Sequence, residues 1–279
     1  MIVAVTVVTV PAADAELAAD RLMQAGAFAV EERAAAGGVV ELWAVLAESD
    51  EAARRVLGEL PAAWSLRTES VDATPADTWR EHATPVRIAP DLVLRPAWLP
   101  PLDEQGVTEV AIDPGATFGL GDHPTTRLSA AAVWRTRPAP RRVLDVGAGS
   151  GVLAIVAVMA GAESASAIDI AEVSPAVVAS NALRNRVADR ITAATTPLAD
   201  VDDTFDLVVA NILAPELVAL AADLRRVTAR AGTLVVSGVL QDRYDHVLAA
   251  LAPMELVGVD ELDGWVALVL RSSPTGRQD

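Results

Sequence analysis

Cysteine and lysine are both missing from the 279-residue chain: all 22 basic residues are arginine, and there are only three histidines, three phenylalanines and one tyrosine. Without cysteine there are no disulfides and no thiolate metal sites, so nothing in the composition points to secretion. Three scattered histidines do not make a metal site either. The net charge of −16 argues against direct binding to a nucleic-acid backbone, which requires clustered cations, and fits either a basic partner or plain solubility. No apolar run reaches the ~18 residues of a membrane span. Residues 1–8 lack the basic start of a signal peptide and read as a strand. The expectation is a cytoplasmic chain with no membrane or nucleic-acid partner, its oligomeric state left open.

What is present is apolar enough for a large core. Half the residues are hydrophobic at an ordinary charged fraction, and the length allows one large or two modest domains. Residues 2–8 read as a strand, 13–25 as a helix closed by Gly26, 29–33 and 38–46 as strands, 50–60 as a helix and 64–71 as a strand. This β-α-β-β-α-β order predicts a small ferredoxin-like α+β domain over residues 1–72, and no cluster of chemistry falls within it. Residues 73–112 are rich in proline and tryptophan and read as a structured connector with short strands at 86–88 and 92–94; Trp79 and Trp98 are expected to be packing residues. From residue 113 to the end, strands (142–146, 165–170, 190–195, 205–211, 233–240) alternate with helices (151–160, 175–184, 215–229, 243–251), and a hairpin turns at Asp263-Gly264 between 254–260 and 265–271. That pattern predicts an α/β fold with a doubly wound, Rossmann-like sheet of seven strands, whose binding crevice lies at the strand C-termini.

The chain is organised around Arg142–Ile155, an apolar run that ends at Asp145-Val146, turns through Gly147, Gly149 and Gly151, and enters an Ala/Val/Ile-rich helix. Glycines belong in such a turn because it needs positive φ and because a Cβ would block close approach of a ligand. Eighteen residues past Gly151, the next strand ends at Asp169, about where an acidic side chain grips a ribose hydroxyl pair. The spacing differs from the dinucleotide pattern, and a carboxylate at Asp145 would repel a pyrophosphate but suits a ligand carrying an ammonium group. The form resembles the glycine loop of S-adenosylmethionine-dependent methyltransferases. At the end of the fourth strand of this sheet, Asn211 faces the same crevice; its amide either accepts a hydrogen bond from a substrate amine or caps the next helix. The loop 113–126 runs into a helix through Pro124, where Asp122 either caps the free N–H groups or binds a cationic amine. His123 reads as a structural residue at that helix entry, and His82 and His246 lack the Ser or Cys partner of a nucleophilic site.

The Phe-Gly-x-Gly-x-His-Pro-Thr-Thr loop at 118–126, the glycine loop and Ala210-Asn211-Ile212-Leu213 together resemble the PrmA family, the methyltransferases of large-subunit ribosomal protein L11, over nearly the whole chain. Leu120 and Asp122 stand where the family loop has threonines, and Ala171-Glu172 follow Asp169-Ile170 where the family has Asp-Pro. The resemblance implies a class I methyltransferase domain over residues 113–279, with S-adenosyl-L-methionine held by Phe118, Thr126, Asp145, Gly147, Gly149, Gly151, Asp169 and Asn211. It implies Asn211 as the catalytic residue and N-methylation of lysine and N-terminal amines on a basic ribosomal protein held by the N-terminal domain. A methyltransferase of the same frame with another substrate, and a non-catalytic binding module, are the alternatives.

Overall fold

Alternation along β1 (Ile2–Pro11) sends Val8 and Val10 to one face, where they meet Leu22 of helix α1 (Ala15–Gln24) in a small separate core. β2 (Val30–Ala34), β3 (Val39–Ala44), α2 (Asp50–Leu57) and β4 (Ser65–Asp72) complete the unit, with Ser49 Oγ accepting from the Ala52 amide to cap α2. The strands pair antiparallel in the order β2-β3-β1-β4, the ferredoxin-like arrangement that the element order predicts. This computed structural model describes all residues except Met1, Gly26, Phe28, Ala29, Ala36, Ala47, Glu48, 73–79, Glu81, His82, Ala116 and 273–279, so the readings of Trp79 and His82 lie outside it.

The chain divides into two compact units, Met1–Ala83 and Thr84–Asp279. The Pro/Trp-rich stretch expected as a connector therefore contributes its described strands to the second unit. β5 (Val86–Ala89), β6 (Leu92–Pro96) and β7 (Thr108–Ile112) form a three-stranded sheet, and the sequence gives no sign of β7, which pairs parallel with β6 after a loop. Trp98 is half-buried there, and Trp134 donates from its indole to Asp91 at 2.9 Å.

The main sheet runs β10 (Ile191–Ala194), β9 (Ser164–Ile168), β8 (Arg142–Val146), β11 (Phe205–Asn211), β12 (Thr228–Leu240), β14 (Trp265–Arg271), β13 (Glu255–Leu262). Six of its strands run in the same direction, and β14 alone runs against them, antiparallel to both β12 and β13. Alternate residues feed two cores. Val143, Leu207, Val209 and Val235 pack under α3 (Pro124–Arg135), α4 (Val152–Met159) and α5 (Ser174–Arg184). Leu144, Val208, Ala210 and Val236 pack under α6 (Ala214–Ala219), α7 (Ala221–Val227) and α8 (Asp245–Leu251). The single helix expected over 215–229 is two, broken at Leu220, and β12 begins at Thr228 because that residue already pairs with Phe205. Among the described residues no helix is long and apolar enough to cross a membrane. The order of strands reverses between β8 and β11, so a crevice opens at their C-terminal ends.

Asn181 of α5 and Asn185, which caps its C-terminal end, hold the segment leading into that crevice. Asn185 exchanges two hydrogen bonds of 2.8 Å with the Ala111 backbone, as a neighbouring strand would. Asn181, fully buried, accepts from the Asp113 amide at 3.0 Å and donates to the carbonyls of Asp113 and Ser150. Removing one side of such a buried set leaves its partners without water. Asn181→Leu is expected to lower stability by roughly 2–4 kcal/mol in urea unfolding.

Candidate active site

Three glycines let the chain leave β8 and enter α4 within five residues. Gly147 has φ +70°, and a Cβ placed there would lie 2.4 Å from Cγ2 of Ile212, which follows Asn211. Gly149 has φ +51°, and its Cβ would lie 2.6 Å from the carbonyl oxygen of Phe118. The turn is thus closed on both sides by the protein's own chain: side chain from the end of β11, backbone from the 113–126 loop. The second contact is a built strap, since the Ser150 amide donates to Phe118 O at 3.0 Å and Ser150 Oγ to Gly119 O at 2.7 Å. Gly151, at φ +78° against Val178, starts α4.

Two carboxylates bracket this turn. Asp145 is 1% exposed; Oδ2 accepts from the Ala154 amide in the first turn of α4 at 3.0 Å, and Oδ1 has no hydrogen-bond partner. Desolvation, opposed by the Ala154 bond and reinforced by the nearby charge of Asp169, pushes its pKa up from 3.8 to about 7. Asp169, at the end of β9, accepts from the Gly149 amide at 2.7 Å through Oδ2 and from Ala171 at 2.9 Å through Oδ1. Among the described residues neither carboxylate is in an ion pair. With no arginine ion-paired to either carboxyl group, the crevice disfavours a pyrophosphate and suits a cation, whose charge would in turn favour the ionised form of Asp145. Beside Asp169, Ile170 is 93% exposed, and Phe118 is 55% exposed on the strap. Both are large apolar side chains left open to solvent beside the turn.

Across the crevice, Asn211 donates from Nδ2 to Thr126 Oγ1 at 3.4 Å, which brings the ends of β11 and the first turn of α3 together. Asn211 does not cap α6, whose N-cap is Leu213 without a side-chain bond. Asp122 is exposed and does not cap α3. That role falls to His123, whose Nδ1 accepts from the Thr125 amide at 3.4 Å and lies 2.8 Å from Thr125 Oγ1. The imidazole is held edge-on to Phe118 and Trp265, with centroids 5.6 and 5.3 Å away, and burial lowers its pKa despite Asp122. A neutral ring with Nδ1 accepting carries its hydrogen on Nε2 and is a poor base. Sequence reasoning missed Ile170, Ile212, Ser150 and Trp265, because an apolar residue or a serine in a loop carries no mark of the tertiary neighbour it meets.

Strand order, glycine turn and the acid after β9 define the Rossmann-like class I methyltransferase fold. The family model for ribosomal protein L11 methyltransferase (PrmA) matches residues 4–273, and the chain belongs to that family. A ribosomal protein L11 methyltransferase of Geobacter sp. (strain M21) is 41% identical over 202 residues, covering 70% of this chain and 66% of the relative. One from Desulfitobacterium hafniense is 35% identical over 239 residues, covering 83% and 75%. The chain thus spans just under two thirds of the Geobacter relative's length. The crystal structure of a ribosomal protein L11 methylase from Lactobacillus delbrueckii subsp. bulgaricus superposes with a TM-score of 0.63 at 31% identity, covering 68% of this chain and all of that one.

Two outcomes are expected. Gly147→Val should destabilise the protein by roughly 2–4 kcal/mol through the strained φ and the clash with Ile212, and adding Ile212→Ala should return part of that loss in a double-mutant cycle. For Asp145, the raised pKa means the folded state binds the proton more tightly than the unfolded chain does. Its contribution to stability is therefore full below about pH 4 and lost as pH rises through about 7. Asp145→Asn, which keeps the acceptor for Ala154, should flatten this dependence, melting higher than wild type at pH 8 and close to it in the acid limit.

Proposed function

We propose that this chain binds S-adenosylmethionine in the β8–β11 crevice and methylates the lysine and N-terminal amines of ribosomal protein L11. The observation that carries the proposal is the pair of unpaired carboxylates around the glycine turn, facing an amide across the crevice. Asp169 is assigned to the ribose hydroxyls, Ile170 and Phe118 to the faces of the base or its surroundings, and Asp145 with Gly147, Gly149 and Gly151 to the ammonium end. Thr126 and Asn211 are assigned to the side from which the acceptor arrives. The bound cofactor supplies an electrophilic methyl group on a sulfonium.

The chain's own part in the reaction is positioning, which dominates an in-line displacement. A lysine amine has an ordinary pKa near 10.4 and must lose its proton to reach the methyl group. With His123 held neutral and capped, the proton goes to solvent, and the rate is expected to rise with pH across the neutral range. Asn211, whose carbonyl has no hydrogen bond among the described residues, accepts an N–H of the amine and so turns the nitrogen lone pair inward. Exposed Asp122 lies at the same loop and attracts the cationic substrate before it is deprotonated. An acidic enzyme and a basic ribosomal protein fit in charge, and the work is assigned to the cytoplasm, where ribosomal proteins are made.

The test is incubation of the purified chain with S-adenosylmethionine and L11, read by mass spectrometry of L11 peptides. Methyl additions on lysine and the N-terminus support the proposal; turnover only on small-molecule amines, or none with bound cofactor, overturns it. Asn211→Ala should lower kcat by about 10²-fold, comparable to removal of one aligned polar group, while cofactor affinity changes by less than about threefold.

A further inference from the structure

At the opposite edge of the main sheet, where the parallel strands begin, a recess of about 350 Å³ is lined by Arg137, Arg141, Arg230 and Arg271, with Asp206 and the turn Ala231-Gly232. Four arginines against one aspartate give the lining a net charge of +3, in a chain whose net charge is −16. Asp206 Oδ2 accepts the amides of both Arg141 and Arg142 at 2.9 Å, and its charge acts on the Arg141 guanidinium, leaving the other arginines of the lining in excess. Arg141 is tied to Glu163 at 2.9 Å, and Arg137 turns one nitrogen to the carbonyls of Trp134 and Thr136. The Arg271 side chain, at the end of β14, makes no hydrogen bond or ion pair among the described residues. The wall is also strained: Ala231 sits at φ 58°, a left-handed conformation that costs an alanine about 1 kcal/mol and holds the 229–232 turn against the start of the sheet.

We propose that this recess is a binding site for a small phosphorylated molecule, separate from the methyl-transfer crevice and set apart from it by the length of the parallel strands. A guanidinium group matches the paired oxygens of phosphate, and Arg271, which makes no hydrogen bond or ion pair among the described residues, is available to such a ligand in the recess. Size and field together select a small ligand. Charges beyond about 8–10 Å are screened at physiological salt, so a molecule that fits inside senses the recess alone. A polynucleotide would extend over the acidic surface around it and be repelled.

The test is calorimetric titration of the full chain with inorganic pyrophosphate at low chloride, alongside Arg271→Ser, Arg271→Lys and, as a charge control far along the chain, exposed Arg54→Ser. The expected result is saturable binding that weakens about tenfold in Arg271→Ser and less in Arg271→Lys, and is unchanged in Arg54→Ser. Unliganded melting midpoints near wild type show that the variants are folded, and methyl transfer to the amine substrate stays at the wild-type rate. Absence of saturable binding, equal weakening by Arg54→Ser, or binding of a single-stranded oligoribonucleotide in place of pyrophosphate would overturn the proposal.

Discussion

The crevice depends on a reversal of the chain within five residues, from the buried end of β8 to the first turn of α4. At Gly147 and Gly149 only a residue without a Cβ fits, because Ile212 presses on one side of the turn and the Phe118 carbonyl on the other. The pressure is also what gives the site its shape. Ile212 brings the end of β11, and with it Asn211, against the loop; Phe118 brings the strap, and behind it the start of α3 with Thr126. Four segments distant in sequence meet because one of them is thin.

Charge follows from the same geometry. A carboxylate as deeply buried as Asp145 is ordinarily paired, and here its only bond is to a backbone amide of α4. The amide and the helix N-terminus behind it supply part of the missing positive charge, and desolvation takes the rest in the form of a proton. Asp169 is held by two amides in a more open position. The proposed ligand brings its own cation to these two carboxyl groups, which is what sets the proposed site apart from nucleotide sites built on similar strands and turns.

Much of this was legible in the sequence, and the reasons differ by element. β8 and β11 have the bounds the sequence predicts, because strands covered on both faces are continuous apolar runs with abrupt ends. Asp169 and the glycines are found by spacing alone. β7 escapes because Thr108–Ile112 is a five-residue parallel strand in a stretch dominated by prolines, and its pairing is decided by β6. Of the two readings left open for Asp122, the capping one falls to its neighbour, because the packing of His123 between Phe118 and Trp265 sets that imidazole over the first turn of α3. The division of the chain falls at residue 83 rather than after a separate connector, because the buried apolar residues of β6 and β7 have the second unit's core to join. The roles of Asn181 and Asn185 in holding an adjacent backbone carry no mark in the sequence, because their partners lie about seventy residues earlier in the chain.

Asp169 has one further consequence. Each of its oxygens already serves an amide, one within the glycine turn and one just beyond β9, so any diol that it grips must share acceptors that keep the backbone in register. Affinity and local rigidity are then a single quantity rather than two. If Asp169 holds the sugar as proposed, a substitution that merely loosens the turn will be read in an equilibrium titration as poorer recognition of the sugar, although every group assigned to it is still there.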